Sequence, residues 1–184
     1  MTERANQLHL TADRQISELL GFISTLDEAG SRRPCPGREK LGDGTVAACA
    51  RHTADNYQRI AAFLTTSDGM SGRHAPSQRG GHRISRFLRS LGHGPETHPE
   101  NGSDAAPHDG PYTADNTDLV LVAGQLSTTR ERLGQIAEFN DSQLGAIPPD
   151  GAFRFCDGHR TLEQVLTSLL KHQAHQLDSL KAAV

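Results

Sequence analysis

The large apolar residues of this 184-residue chain fall into four stretches at helical spacing, and between the second and third lies a tract that almost lacks them. From Thr66 to Pro111 only Ile84, Phe87, Leu88 and Leu91 are Leu, Ile, Val or Phe, while Gly, Ser, Pro and His supply 24 of the 46 positions. Such a tract cannot bury enough apolar surface to offset its own ordering entropy, and its composition is that of a mobile linker. Over the whole chain the four large apolar types number 37, close to the level at which chains fail to build a core. With the tract set aside, 33 of them remain in 138 positions. The expectation is one domain spanning residues 1–184, interrupted by a flexible His/Gly/Pro-rich insertion at about 66–111.

Leu8, Ala12, Ile16, Leu19, Leu20, Ile23 and Leu26 recur at helical spacing ahead of Gly30, which predicts a first helix over about residues 3–29. After a loop containing Pro34, Cys35, Pro36 and Gly37, the residues Val46, Cys49, Thr53, Tyr57, Ile60 and Leu64 mark one face of a second helix. Asp43 or Thr45 can cap it, and it should end near Thr65. Leu119, Val122, Ala123, Leu126, Leu133 and Ile136 outline a third, preceded by Thr113, Asp115 and Asn116 as capping residues. The fourth opens on a capping box at Thr161-Leu162-Glu163-Gln164 and runs through Val165, Leu166, Leu169, Leu170, Leu177 and Leu180. In the linker, Ile84, Phe87, Leu88 and Leu91 interleaved with Arg83, Arg86 and Arg89 suit a short amphipathic helix lying on the domain.

No stretch alternates apolar and polar residues at length, and aromatic residues are only 4% of the chain, so strands find no support. Four amphipathic helices imply an all-α four-helix bundle. The connections between the first two and the last two helices are of ordinary length, which makes each pair antiparallel neighbours. The long helix 2 to helix 3 crossover can return the chain along the full bundle, giving up-down-down-up topology.

Nineteen basic and 22 acidic residues give a formal charge of -3 without a run of like sign. A nucleic-acid groove or a polybasic membrane anchor is therefore not expected. The first residues, Met-Thr-Glu-Arg-Ala-Asn-Gln, open no apolar signal segment and no long apolar run occurs, so the expected location is cytoplasmic. Cys35, Cys49 and Cys156 are too few for a disulfide scaffold and are expected as thiols. No phosphate-binding glycine loop, Ser-His-Asp order or zinc-protease motif occurs.

Ten histidines are the unusual feature of the composition. His52, His172 and His175 lie on the second and fourth helices. At about 100° per residue, His52 falls about 90° from the centre of its apolar stripe, at the bundle edge. His172 lies about 95° from its own stripe centre and His175 about 155°, whereas Gln176 lies at about 55°. His52 and His172 stand about 14 to 17 Å into their helices and can be level with one another. Imidazoles from two helices suit a divalent ion such as zinc or nickel with open positions for water or substrate. Solvated or hydrogen-bonded histidines on a polar flank are the plainer account. Cys49 and His52 with His172 and His175 would instead read as a closed structural zinc site, although Cys49, about 30° from its stripe centre, fits a small core residue better. His74, His82, His93, His98 and His108 are scattered through the linker and suit a loop folding over the site as a lid. His9 and Asp13 stand four apart on the first helix, which suits a surface pair better than a ligand-orienting one.

Two segments carry a resemblance. Gly44-Thr45-Val46-Ala47-Ala48-Cys49-Ala50-Arg51-His52 opens the second helix, and Thr161-Leu162-Glu163-Gln164-Val165-Leu166 through Leu170-Lys171-His172-Gln173-Ala174-His175-Gln176-Leu177 forms the fourth. With the long middle connection, these make the chain resemble the DinB/YfiT-like superfamily of metal-dependent enzymes, related to mycothiol-dependent maleylpyruvate isomerase. The resemblance implies a four-helix bundle holding a divalent metal through one histidine of the second helix and two residues of the fourth. It also implies transfer or isomerisation chemistry on a small molecule, using a low-molecular-weight thiol such as mycothiol, and it leaves a homodimer open. Carried onto this chain, His52 and His172 match the first two ligands. The family spacing of four puts Gln176 in the third position, while the nearest histidine, His175, is three residues on; His175 is the ligand expected here, with Gln176 as the alternative. The rival to a metal-dependent thiol transferase or isomerase is a non-catalytic protein that binds a metal or a haem-like ligand for storage or sensing.

Overall fold

A computed structural model describes residues 2–71, the last five as backbone alone, and residues 112–184. The amphipathic helix expected around Ile84 to Leu91 and the five linker histidines lie outside the described residues. The described chain is helical. Its long elements are α1 (Glu3–Thr25), α3 (Val46–Ser71), α4 (Leu119–Leu133) and α6 (Leu162–Lys181), with short helices α2 (Glu28–Ser31) and α5 (Asp141–Gly145) and a 3-10 turn over Gly134–Glu138. Among the described residues the only extended pairing is an isolated antiparallel bridge between Pro34 and Thr45.

Local chemistry sets where each helix starts. Thr2 caps α1 by accepting the Ala5 N–H. The expected first helix breaks at Leu26, and Asp27 restarts the chain as α2 by accepting the Gly30 N–H at 2.6 Å. Thr45 Oγ1 accepts the Ala48 N–H at the head of α3 and is itself held by Asp43 Oδ1 at 2.6 Å, so both expected capping residues act together. The helix then continues to Ser71, beyond the expected end near Thr65. The cap of α4 is Asp118, which accepts from Val120 and Leu121, rather than the residues 113–116 expected for it. Thr113 instead accepts the Asn116 N–H within the turn that leads into the helix. In α6, Thr161 and Gln164 form the reciprocal capping box that the sequence announced.

The apolar faces named in the sequence meet in one core containing Ile16 and Leu19 of α1, Tyr57, Ile60 and Leu64 of α3, Leu126 and Leu133 of α4, and Leu166 and Leu180 of α6. Helix α1 packs against α4 and α6, and α3 packs against the same two. The first two long helices, and the last two, are thus not the closely packed pairs that their connections of ordinary length suggested. The physical reason is in those connections: residues 26–45 carry α2 and a looped turn, and residues 134–161 carry the 3-10 turn and α5, so each has the length to cross the end of the core. Across the core α1 and α3 meet through Tyr57, whose hydroxyl donates to Gln15 Oε1 at 2.9 Å, while Gln15 Nε2 donates to the Leu170 carbonyl of α6 at 3.2 Å.

Polar contacts at the rim order the helix ends. Arg4, at the start of α1, bonds Glu163 in the first turn of α6 at 2.8 Å and Asp141 of α5 at 2.8 Å. Lys181, at the end of α6, bonds Glu18 in the second half of α1 at 2.6 Å. Asp13, in the middle of α1, holds Arg130 near the end of α4. At the opposite end, Arg51 of α3 donates to the Asn116 carbonyl just ahead of α4, and Asp43 accepts the Ala114 N–H. Phe63, far along α3, stacks on Phe153 in the loop before α6 at 4.9 Å. No helix among the described residues is long and apolar enough to cross a membrane.

Candidate functional site

His52 occupies the second turn of α3. The wheel placed it at the edge of the domain, yet only 2% of its surface is exposed. The cover is Tyr112, in the segment re-entering ahead of α4, whose ring meets the imidazole edge-on at 5.5 Å between centroids. A residue remote in sequence has closed over a flank that the helix alone would leave open. The Tyr112 hydroxyl donates to Asp55 Oδ2 at 3.1 Å, and Arg51 lies over its ring at 5.4 Å. Burial, with the nearby Asp55 carboxylate next, pushes the Tyr112 hydroxyl up to about 12, so it stays protonated and donates at neutral pH.

Tyr112 is held by its backbone as well as by its ring. Its carbonyl accepts the Asp43 N–H at 2.9 Å, and Gly42 lies so close beneath that a Cβ there would fall 1.8 Å from that oxygen. Gly42 also has φ +59, a left-handed conformation that side chains with a Cβ resist. The loop before α3 is thus shaped to grip the re-entering chain over His52.

His172, halfway along α6, is half-buried. Its Nε2 lies 3.1 Å from Gln176 Nε2 and 3.3 Å from Arg154 Nη1. The two histidines are arranged alike, since His52 Nε2 lies 3.0 Å from Asn56 Nδ2, a carboxamide four residues on along the same helix. In each pair the carboxamide stands within hydrogen-bonding distance of the imidazole Nε2. Gln176 is 2% exposed, whereas His175 is exposed and offers its backbone carbonyl to Ser179. The structure therefore sets His172 and Gln176 side by side on the inner flank of α6 and His175 on the outer one, following the helical angles.

Arg154 is delivered by a strained loop. Its neighbour Phe155 has φ 67, the only left-handed residue other than glycine among those described, and the guanidinium groups of Arg154 and Arg160 lie over the Phe155 ring at 5.1 and 5.9 Å. A bulky residue in that conformation costs on the order of 1–3 kcal/mol and persists only where its surroundings impose it. Nothing in the helical periodicity signals Tyr112, Asp55 or Arg154 as part of this region; two lie outside the long helices, and Asp55 is apparent only after Tyr112 has folded over it.

Among the described residues no group of three or more His, Cys, Asp or Glu side chains is placed to hold a metal ion. The trio His52, His172 and His175 is not gathered, and neither is the four-ligand set with Cys49. Cys49 is a core residue at 1% exposure, and all three cysteines are buried thiols. His9 lines a groove between α1 and α4 with Asp13, Arg130 and Glu131, where Asp13 is committed to Arg130. Compared with known proteins, the chain matches no family model, no curated protein and no solved structure.

Proposed function

We propose that this chain is a DinB-like four-helix bundle of up-down-down-up topology that binds a divalent metal ion, zinc or nickel, through His52 of α3 and His172 of α6. The topology reading is supported by the rim contacts, which join the start of α1 to the start of α6, the start of α3 to the approach to α4, and the far part of α3 to the approach to α6. The observation that carries the site is the matched geometry of two imidazoles on packed helices, each with its Nε2 directed at a carboxamide four residues on. Gln176, rather than the exposed His175, is the third donor in this reading, through its amide oxygen after rotation of the side chain. Two neutral imidazoles and a carboxamide oxygen form a donor set that suits a labile divalent ion and leaves positions open for a ligand.

When bound, such an ion lowers the pKa of a coordinated thiol or water and so supplies a nucleophile at neutral pH. The chain's own residues orient and select. Asn56 orients the His52 imidazole, Tyr112 excludes water from it, and Arg154 places positive charge beside His172, favouring an anionic substrate or thiolate. The reaction assigned is a metal-dependent transfer or isomerisation that uses a small thiol such as mycothiol. A non-catalytic ligand-binding protein is the second reading, favoured by Arg154, whose guanidinium stands at the nitrogen a cation would need.

Elemental analysis of tag-free protein separates them. Wild type and His175→Ala should each carry about one metal ion per chain, Gln176→Ala should retain less, and His172→Ala none. Absence of metal from wild type even after addition of zinc or nickel would overturn the metal reading and leave the second.

A further inference from the structure

The head of α3 also holds Cys49, one turn ahead of His52, and the loop before it holds Cys35. Cys35 donates its backbone N–H to the Gly44 carbonyl at 2.7 Å, Val46 donates to the Arg33 carbonyl at 2.9 Å, and Pro34 bridges Thr45. These contacts lay residues 33–35 alongside 44–46. Cys49 stands one helical turn further, its N–H bonded to the Thr45 carbonyl at 3.0 Å. This register sets the two thiols beside one another in the same core, Cys35 at 0% and Cys49 at 1% exposure. Cys156 lies in the loop before α6, near the opposite end of α3, where Phe153 stacks on Phe63.

We propose that Cys35 and Cys49 form a dithiol that a low-molecular-weight disulfide oxidises to an intramolecular disulfide, a covalent modification site fastening the 33–45 loop to α3. The hydrogen bond from Cys49, with Arg38 adding its positive charge, holds the Cys35 thiol below its ordinary range, while the same bond and burial hold Cys49 above its own. Cys35 is thus the attacking thiolate. It displaces one thiolate from the disulfide RS–SR to form a mixed disulfide. Cys49 then loses its proton to the released thiolate and attacks the Cys35 sulfur, expelling the second thiolate, which takes up the proton Cys35 had given to solvent. Two protein thiols are oxidised, one RS–SR is reduced to two RSH, and no metal is involved. Access comes from local opening of the loop, whose residues Pro36, Gly37, Glu39 and Lys40 are exposed.

The test is to incubate the full chain with excess oxidised glutathione, quench with acid, block free thiols with iodoacetamide in denaturant, and measure intact mass and peptide linkage. Of the three thiols, one should remain blockable, with a peptide joining Cys35 to Cys49. The Cys156→Ser variant should form the same link and take up no label, and Cys35→Ser should leave Cys49 unlinked. Three blocked thiols in the wild type, glutathione persisting on Cys35, or a link through Cys156 would overturn the proposal.

Discussion

Gly42 shows how one missing Cβ arranges a whole corner of the molecule. With φ +59 and the Tyr112 carbonyl where a methyl group would stand, Gly42→Ala introduces both a strained backbone and a collision with another segment's main chain. The variant should lose about 2 kcal/mol or more in urea unfolding, and with Tyr112 displaced, His52 should become accessible to carbethoxylation. Unchanged stability would mean that the loop does not grip Tyr112. Asp13 illustrates a different residue-level effect. The hydrogen bond from Arg130 holds its carboxyl below the usual range, with burial opposing in part. Because the folded-state value is the lower one, the pair stabilises above the unfolded carboxylate pKa of about 3.9, and that contribution is lost as pH falls through the folded value. Arg130→Gln should therefore lose less stability than wild type between about pH 5 and about pH 3, and parallel acid profiles would contradict this.

At the scale of the element, α6 is specified mainly by its own sequence. Its capping box satisfies two backbone donors at the helix start, and its inner face runs without interruption from Leu162 to Leu180. Thr161→Ala removes the side-chain acceptor for the Gln164 N–H and should cost about 1 kcal/mol in thermal or urea unfolding. A loss near zero would show that the Leu162 N–H bond to the Ala146 carbonyl suffices to start the helix. The first predicted helix, by contrast, divides in two, because Asp27 competes for the backbone and restarts the chain as α2. Likewise α4 begins behind the Asp118 cap, a boundary decided by a side chain that accepts from the nearest N–H groups rather than by apolar periodicity, and gives way at Gly134 to a 3-10 turn with no side-chain cap.

In the whole molecule, the core contains a polar link joining three helices: Tyr57 of α3 donates to Gln15 of α1, which donates to the backbone of α6. Tyr57→Phe leaves the Gln15 acceptor without its donor in a buried place and should destabilise by about 1–3 kcal/mol, measured as a shift of the urea midpoint at constant slope. A loss below about 0.5 kcal/mol would show that the core re-forms the bond elsewhere. The four long helices, their inward faces, the fully buried Cys49 and the outward placement of His175 were legible in the chain because each depends on periodicity within one helix. The burial of His52, the meeting of Cys35 with Cys49, and the approach of Arg154 to His172 were not, since each depends on a loop folding back from elsewhere in the chain. The sequence by itself thus determined helical class and which face of each helix turns inward, through 3.6-residue periodicity and local capping. Only the tertiary structure decided which helices pack together and which side chains from separate segments share a site, because those contacts depend on the paths of irregular connections, which carry no periodic signal.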